Sequence, residues 1–180
     1  MDEIILGFLL LQPRTIYQIR AKFADGLNLM YSSSMGSIQA ALKKLLSQGC
    51  ITCTETVENG KYKKFYEITD SGRAEFTSWV NSPFKSARNK NPELAKLYFM
   101  GLSDVKERCS RIDGYVSALK TVRLSLETIY ADGVKLTPPD DLRELFRYQL
   151  LTVKYGLDLL NFEIEWFMAL KKDESEKSGA

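Results

Sequence analysis

One Asn-Gly dipeptide, set between two β-prone runs, limits this chain more than any other feature. Cys50 to Val57 carries Ile51, Thr52, Thr54, Thr56 and Val57, the β-branched residues that strands favour. Tyr62 to Thr69 answers it with Tyr62, Phe65, Tyr66 and Ile68. Glu58-Asn59-Gly60-Lys61 between them reads as a hairpin turn, for which Asn-Gly is the strongest short-range signal. The remaining patterns are helical, so the expected fold is mainly α with a single hairpin.

Three helical patterns precede the hairpin. Ile4 to Leu11 is an apolar run, with Asp2 and Glu3 suited to its N-terminus and Pro13 to its end. Thr15 caps a second helix, and Gln18 stands at capping-box spacing from it. Ile16, Ile19 and Phe23 form one face, and Gly26 stops the helix. Ser32, Ser33 and Ser34 offer caps for a third helix, which ends at Gln48 with Gly49 behind it.

That third helix places Ile38, Ala41, Leu42, Leu45 and Leu46 on one apolar stripe. Its other face holds Gly36, Ser37, Gln39, Ala40, Lys43, Lys44 and Ser47. Small residues there allow close approach; a glutamine can read an adenine edge and a lysine a guanine or a phosphate. Any solvated helix needs a polar face, so this pattern alone decides nothing. The hairpin changes the balance, because Lys61, Lys63 and Lys64 fall where they can reach phosphates beside a groove filled by the third helix. Together these elements make a winged helix-turn-helix: three helices plus a hairpin wing over residues 1–83. Thr15 and Ser34, at the helix starts, complete the candidate DNA-binding set with Tyr17, Ser37, Gln39, Lys43, Lys44, Lys61, Lys63 and Lys64.

The residues that carry this pattern resemble the PadR family of transcriptional regulators. They are Ile5-Leu6-Gly7-Phe8-Leu9-Leu10, Ile16-Tyr17-Gln18-Ile19, Gly36 to Leu45, Gln48-Gly49-Cys50-Ile51, and Gly60 to Arg73 followed by Trp79. Glu93 to Leu102 looks like the start of that family's helical C-terminal domain. The resemblance implies a homodimeric winged-helix repressor whose C-terminal helices dimerise and help form an effector site. It also implies DNA contacts at Tyr17, Ser37, Lys43 and Lys61 to Lys64. Two departures stand out: Ile38-Gln39-Ala40 replaces a trio such as Ile-Tyr-Pro, and Ile16 precedes Tyr17 where glycine is common. The first replaces a tyrosine contact and so bears on operator sequence.

Composition excludes more than it suggests. Without histidine, every His-based triad and His-ligated metal site is gone, along with the commonest general acid–base. Cys50 and Cys53 have C-x-x-C form, but residues three apart on a strand point to opposite faces, and no second pair completes a tetrahedral site. Ser117-Ala118-Leu119-Lys120 matches S-x-x-K without its companion elements. No catalytic constellation, cofactor or metal is expected. Three cysteines fit a reducing compartment, and the acids at positions 2 and 3 argue against export, so the expected location is the cytosol. The net charge of +2 is weak evidence for any partner. Residues 1–83 hold nine Lys and Arg against eight Asp and Glu, which keeps a protein–protein adaptor without sequence-specific DNA reading as the alternative.

Ser82 to Asn91 reads as a connection, residues 92–172 as a helical domain, and residues 173–180 as a disordered tail. One helix runs from Asp104 to about Tyr130, with a break near Asp132-Gly133. A last helix, capped by Asp140 or Asp141, runs to Lys171, about 45 Å at 1.5 Å per residue. It is apolar on too many sides for one face of a small monomer, which points to a homodimer through the C-terminal helices. Two recognition helices related by a two-fold axis then address a pseudo-palindromic operator in double-stranded DNA. Tyr98, Phe99, Phe162 and Trp166 are the candidate lining of a site for a small aromatic or amphipathic effector, although core packing is the commoner fate of such residues.

Overall fold

The computed structural model describes residues 1–24, 34–58, 61–84 and 92–178. The chain divides into two compact units, Met1–Ser86 and Ala87–Ala180. The expected stop at Gly26, caps at Ser32 and Ser33, and turn at Asn59-Gly60 lie outside the described residues.

In the first unit each helix begins and ends for a local reason. Helix α1 (Asp2–Leu11) buries Ile5, Leu6 and Leu9 and stops ahead of Pro13. Helix α2 (Ile16–Ala24) opens with the expected box: the Thr15 amide donates to Gln18 Oε1 at 2.8 Å, and the Gln18 amide to Thr15 Oγ1 at 3.3 Å. Helix α3 (Met35–Ser47) opens with a box of two serines, the Ser37 amide donating to Ser34 Oγ at 3.1 Å and the Ser34 amide to Ser37 Oγ at 2.9 Å. It closes on Gly49 at φ +70°, with the Cys50 amide reaching back to the Leu45 carbonyl at 3.0 Å. Ile38, Ala41, Leu42 and Leu45 are buried as expected, whereas Leu46 is 38% exposed. It sits at the rim of the stripe, where coverage by the other elements runs out.

Strands β1 (Ile51–Glu58) and β2 (Lys61–Ile68) pair antiparallel, with Ile51 opposite Ile68 and Cys53 opposite Tyr66 on the face toward the helices. Phe23, fully buried, meets Phe8 edge-on at 5.2 Å in the core beneath. Two features go beyond the sequence reading. Arg14 exchanges both backbone hydrogen bonds with Tyr66, at 3.0 and 2.9 Å, adding a one-residue third strand to the wing. Its side chain is buried, and Nε donates to the Phe8 carbonyl at 3.2 Å near the C-terminal end of α1, where a cation is favoured. The unit also has a fourth helix, α4 (Asp70–Val80), capped by Thr69, whose hydroxyl accepts from the Gly72 amide at 3.2 Å and donates to the Gly49 carbonyl at 2.7 Å.

The second unit has α5 (Pro92–Phe99), a 3-10 turn at Met100–Leu102, and an antiparallel pair of long helices. Helix α6 (Val105–Val134) is capped by Asp104, which accepts from the Glu107 amide at 2.9 Å; helix α7 (Arg143–Ser178) follows a 3-10 turn at Asp140–Leu142. Ile112, Val116 and Leu119 of α6 pack with Ile164 and Phe167 of α7. Two expectations are corrected. α6 does not break at Asp132-Gly133 but runs through them: a Cβ on Gly133 would lie 2.6 Å from Leu150 Cδ2, so the glycine serves close helix approach. Residues 173–178 are not a disordered tail but the last turns of α7, because Glu174 pairs with Arg108 of α6 at 2.7 Å in a half-buried position. Residues 179 and 180 lie outside the described set. Among the described residues no helix is long and apolar enough to cross a membrane.

Candidate nucleic-acid interface

β2 leaves the core at Ile68 and climbs past the N-terminus of α2. Side chains alternate along it, so Tyr66, Lys64 and Tyr62 follow the core-facing side outward, while Phe65 and Lys63 take the other. Between this strand, the start of α2 and the outer face of α3 lies a cleft of about 640 Å³, lined by Thr15 to Gln18, Gln39, and Tyr62 to Tyr66. It gathers Thr15, Tyr17, Gln39, Lys63 and Lys64 from the candidate set, and among the described residues no acidic side chain is part of its lining, although Glu55 pairs with Lys64 beside it. Tyr17 is 73% exposed. Gln39 is exposed on α3, whose buried residues hold the helix from behind.

The other candidates have different surroundings. Lys43 is exposed on α3. Ser37 is half-buried and committed to the cap, its hydroxyl donating to the Ser34 carbonyl at 2.8 Å. Ser34 is exposed but likewise engaged as the cap. Lys61 belongs to β2 by its backbone, and its side chain is outside the described set.

Two of the lysines are held by carboxylates from neighbouring elements. Lys44 Nζ lies 2.6 Å from Asp2 at the start of α1, and Lys64 Nζ lies 2.7 Å from Glu55, its cross-strand partner. These hydrogen bonds, with the negative charge behind them, hold both ammonium groups above the ordinary lysine pKa. Both stay charged through the neutral range. Burial pushes the Tyr66 phenol up, so it stays neutral there too. Such exposed pairs are weak and screened by salt, so a phosphate can compete for the lysine.

Tyr62, missing from the candidate set, lines the same cleft and is 83% exposed, opposite Val57 at 60%. Its composition suggests a strand residue packed on the core. The alternation held the missing signal: three pairs out from Ile68, the helices no longer cover that face.

The candidate effector residues separate into two pairs. Phe162 and Trp166 line a groove of about 290 Å³ with Leu94, Leu97, Leu159, Glu163 and Phe167. Tyr98 and Phe99 stack edge-on at 4.9 Å, strongly exposed, and do not line it. Among the described residues no group of three His, Cys, Asp or Glu could hold a metal ion.

Residues 5–78 match the family described as the transcriptional regulator PadR-like family. The negative transcriptional regulator PadR of Bacillus subtilis is 36% identical over 77 residues, which span 42% of this chain and 42% of that protein. Among solved structures, Bacillus subtilis PadR in complex with operator DNA is similar with a TM-score of 0.82 and 23% identity, covering 96% of this chain and 98% of that one. The same protein in complex with p-coumaric acid is similar with a TM-score of 0.78 and 21% identity, covering 97% and 98%. At these identities the structural likeness speaks for the fold, from the winged helix through the long C-terminal helices.

Proposed function

Over residues 5–78 this chain carries the domain of the PadR-like transcriptional regulators, and from that premise we propose that it is a homodimeric, DNA-binding repressor of an adjacent operon, relieved by a small-molecule effector. The observation that carries the DNA reading is the shared cleft: Gln39 of α3, Tyr17 of α2 and the wing lysines Lys63 and Lys64 open onto one space. In this reading α3 enters the major groove, Gln39 contacts a base edge, and the lysines fix the register on phosphates. It is a binding function, and no step of it asks for catalysis. The solved complex of Bacillus subtilis PadR with operator DNA supports the assignment, and its complex with p-coumaric acid supports an effector. The aromatic groove at Phe162 and Trp166 is the proposed effector site.

The test is a gel shift with the promoter region of the protein's own gene. A specific complex is expected, and Gln39→Ala relaxes base preference at one position per half-site, by about 1–3 kcal/mol of discrimination. An unchanged preference would remove Gln39 from the groove.

The adaptor reading draws on Asp2 and Glu55, which bring acid to the surface that carries Lys44 and Lys64. The two readings part on Asp2→Asn. If Lys44 serves DNA, freeing it tightens binding and steepens the salt dependence by up to about 0.9 in log–log slope per protomer. Salt-titrated fluorescence anisotropy measures both; weaker binding by Asp2→Asn would count against a phosphate contact by Lys44.

A further inference from the structure

The aromatic groove between α5 and α7 is lined by one charged side chain, and that charge is negative. Glu163 shares it with Leu159, Phe162 and Trp166 of α7 and with Leu94 and Leu97 of α5, over the buried ring of Phe167. Leu159 and Trp166 lie four and three positions from Glu163, a spacing that sets side chains on one helix face with Cβ atoms about 5–6 Å apart. The Trp166 ring meets Phe167 edge-on at 5.0 Å, and Phe167 in turn meets Tyr115 of α6 at 4.8 Å. The aromatic wall is therefore braced from behind.

Nothing in the fold accounts for the acid. Glu163 is half-buried, yet among the described residues it makes no ion pair and no hydrogen bond. Cations on the flanking turns are committed elsewhere, Lys96 to Glu93 at 2.8 Å and Lys171 to Asp113 at 2.7 Å. A carboxylate accepts hydrogen bonds and donates none, and drawing one away from water without a partner is costly. The faces of Phe162 and Trp166 beside it carry the negative side of the ring quadrupole, which attracts cations. Among the described residues, the one side-chain donor in the lining is the neutral indole N–H of Trp166.

We propose that this groove takes a small amphipathic cation, one aromatic ring bearing an ammonium group, and that Glu163 turns carboxylates away. This rests on the reading of the groove as the effector site and names the class of effector. The ring lies against Phe162 and Trp166, and the ammonium donates to Glu163. A volume of about 290 Å³ stands at the small end of ligand pockets, roughly 300–1,000 Å³, and suits a single ring. An aromatic acid of the same size sets its carboxylate beside Glu163 with no cation to receive it. Specificity of this kind comes as much from the charge that repels the wrong ligand as from the contact that holds the right one.

Isothermal titration of the full chain with matched probes tests the proposal. The probes p-hydroxyphenethylammonium and p-hydroxyphenylpropionate share a phenol ring and a two-carbon arm, and differ in the sign of the end group. The neutral p-ethylphenol sets the baseline. The wild type binds the ammonium at least about tenfold more tightly than p-ethylphenol, the effect of one hydrogen bond to a charged group, and binds the carboxylate weakest of the three. Glu163→Gln brings the ammonium to within about threefold of p-ethylphenol, and Glu163→Lys reverses the order of the two charged probes. Phe162→Leu and Trp166→Ala weaken all three and report the site itself. Circular dichroism checks that each variant keeps its helix content. A carboxylate that binds more tightly than the ammonium, and is weakened by Phe162→Leu, would overturn the cation and leave the groove as the effector site. A preferred probe that ignores Phe162→Leu, Trp166→Ala and Glu163→Gln alike would overturn both. Absence of binding by any probe at millimolar concentration would also overturn both, and leave the groove as a packing surface.

Discussion

Gly72→Ala unfolds the N-terminal unit or leaves it marginal. A methyl built on Gly72 would overlap the Cys50 carbonyl oxygen and stand 2.8 Å from Ile68 Cγ1. The carbonyl cannot retreat easily, because it accepts the Thr69 amide at 3.1 Å, and Thr69 in turn caps α4 and ties to Gly49 at 2.7 Å. Overpacking against a side chain costs about 1–3 kcal/mol, and backbone overlap at a tied junction belongs at or above the top of that range. Such a loss is a large part of the stability of a small domain. Denaturant unfolding of the full chain is expected to show an early transition for this variant. Gly114→Ala is the matched control: its methyl meets nothing within 4 Å in the middle of α6, and replacing a helical glycine gains about 0.8–1 kcal/mol. If Gly72→Ala melted with the wild type, the close junction of α4 with the start of β1 would be wrong.

Local chemistry was legible in the sequence, and most long-range pairing was not. The Thr15–Gln18 box, the Gly49 stop, the two strands and the buried stripe of α3 each depend on residues within a few positions of one another. The Arg14–Tyr66 bridge joins residues far apart in the chain, and a single residue between Pro13 and Thr15 has no pattern to announce a strand. Lys44 and Asp2 are separated by 42 positions, so sequence showed an apparently open cation where the fold supplies an acid. The end of α7 misleads in the opposite direction. Asp173 to Lys177 is polar enough to read as a fraying tail, yet Glu174 reaches Arg108 at 2.7 Å, one turn beyond the Lys171–Asp113 pair at 2.7 Å. On the candidate interface, residue types identified the lysines and Gln39, while the exposed position of Tyr62 required the register of the hairpin.

Removing Lys43, Lys63 and Lys64 together is the substitution with the largest expected effect on binding. Lys43 is exposed on α3, Lys64 is exposed on the wing, and Lys63 is half-buried where it lines the cleft. None belongs to the hydrophobic core, so the alanine variant is expected to fold. A hydrogen bond to a charged group is worth about 1.5–3 kcal/mol, so each lost phosphate contact weakens binding by roughly tenfold or more. The loss is expected to be nearly uniform across DNA sequences, since phosphates carry no base information. The most direct measurement is the affinity of wild type and triple variant for the promoter fragment, followed from low to moderate salt. The account predicts a steep fall in wild-type affinity with salt, and for the variant a weaker complex whose log–log slope is shallower by about 0.9 per lost contact. A variant that kept both the wild-type affinity and the wild-type slope would contradict the assignment of this cleft to DNA.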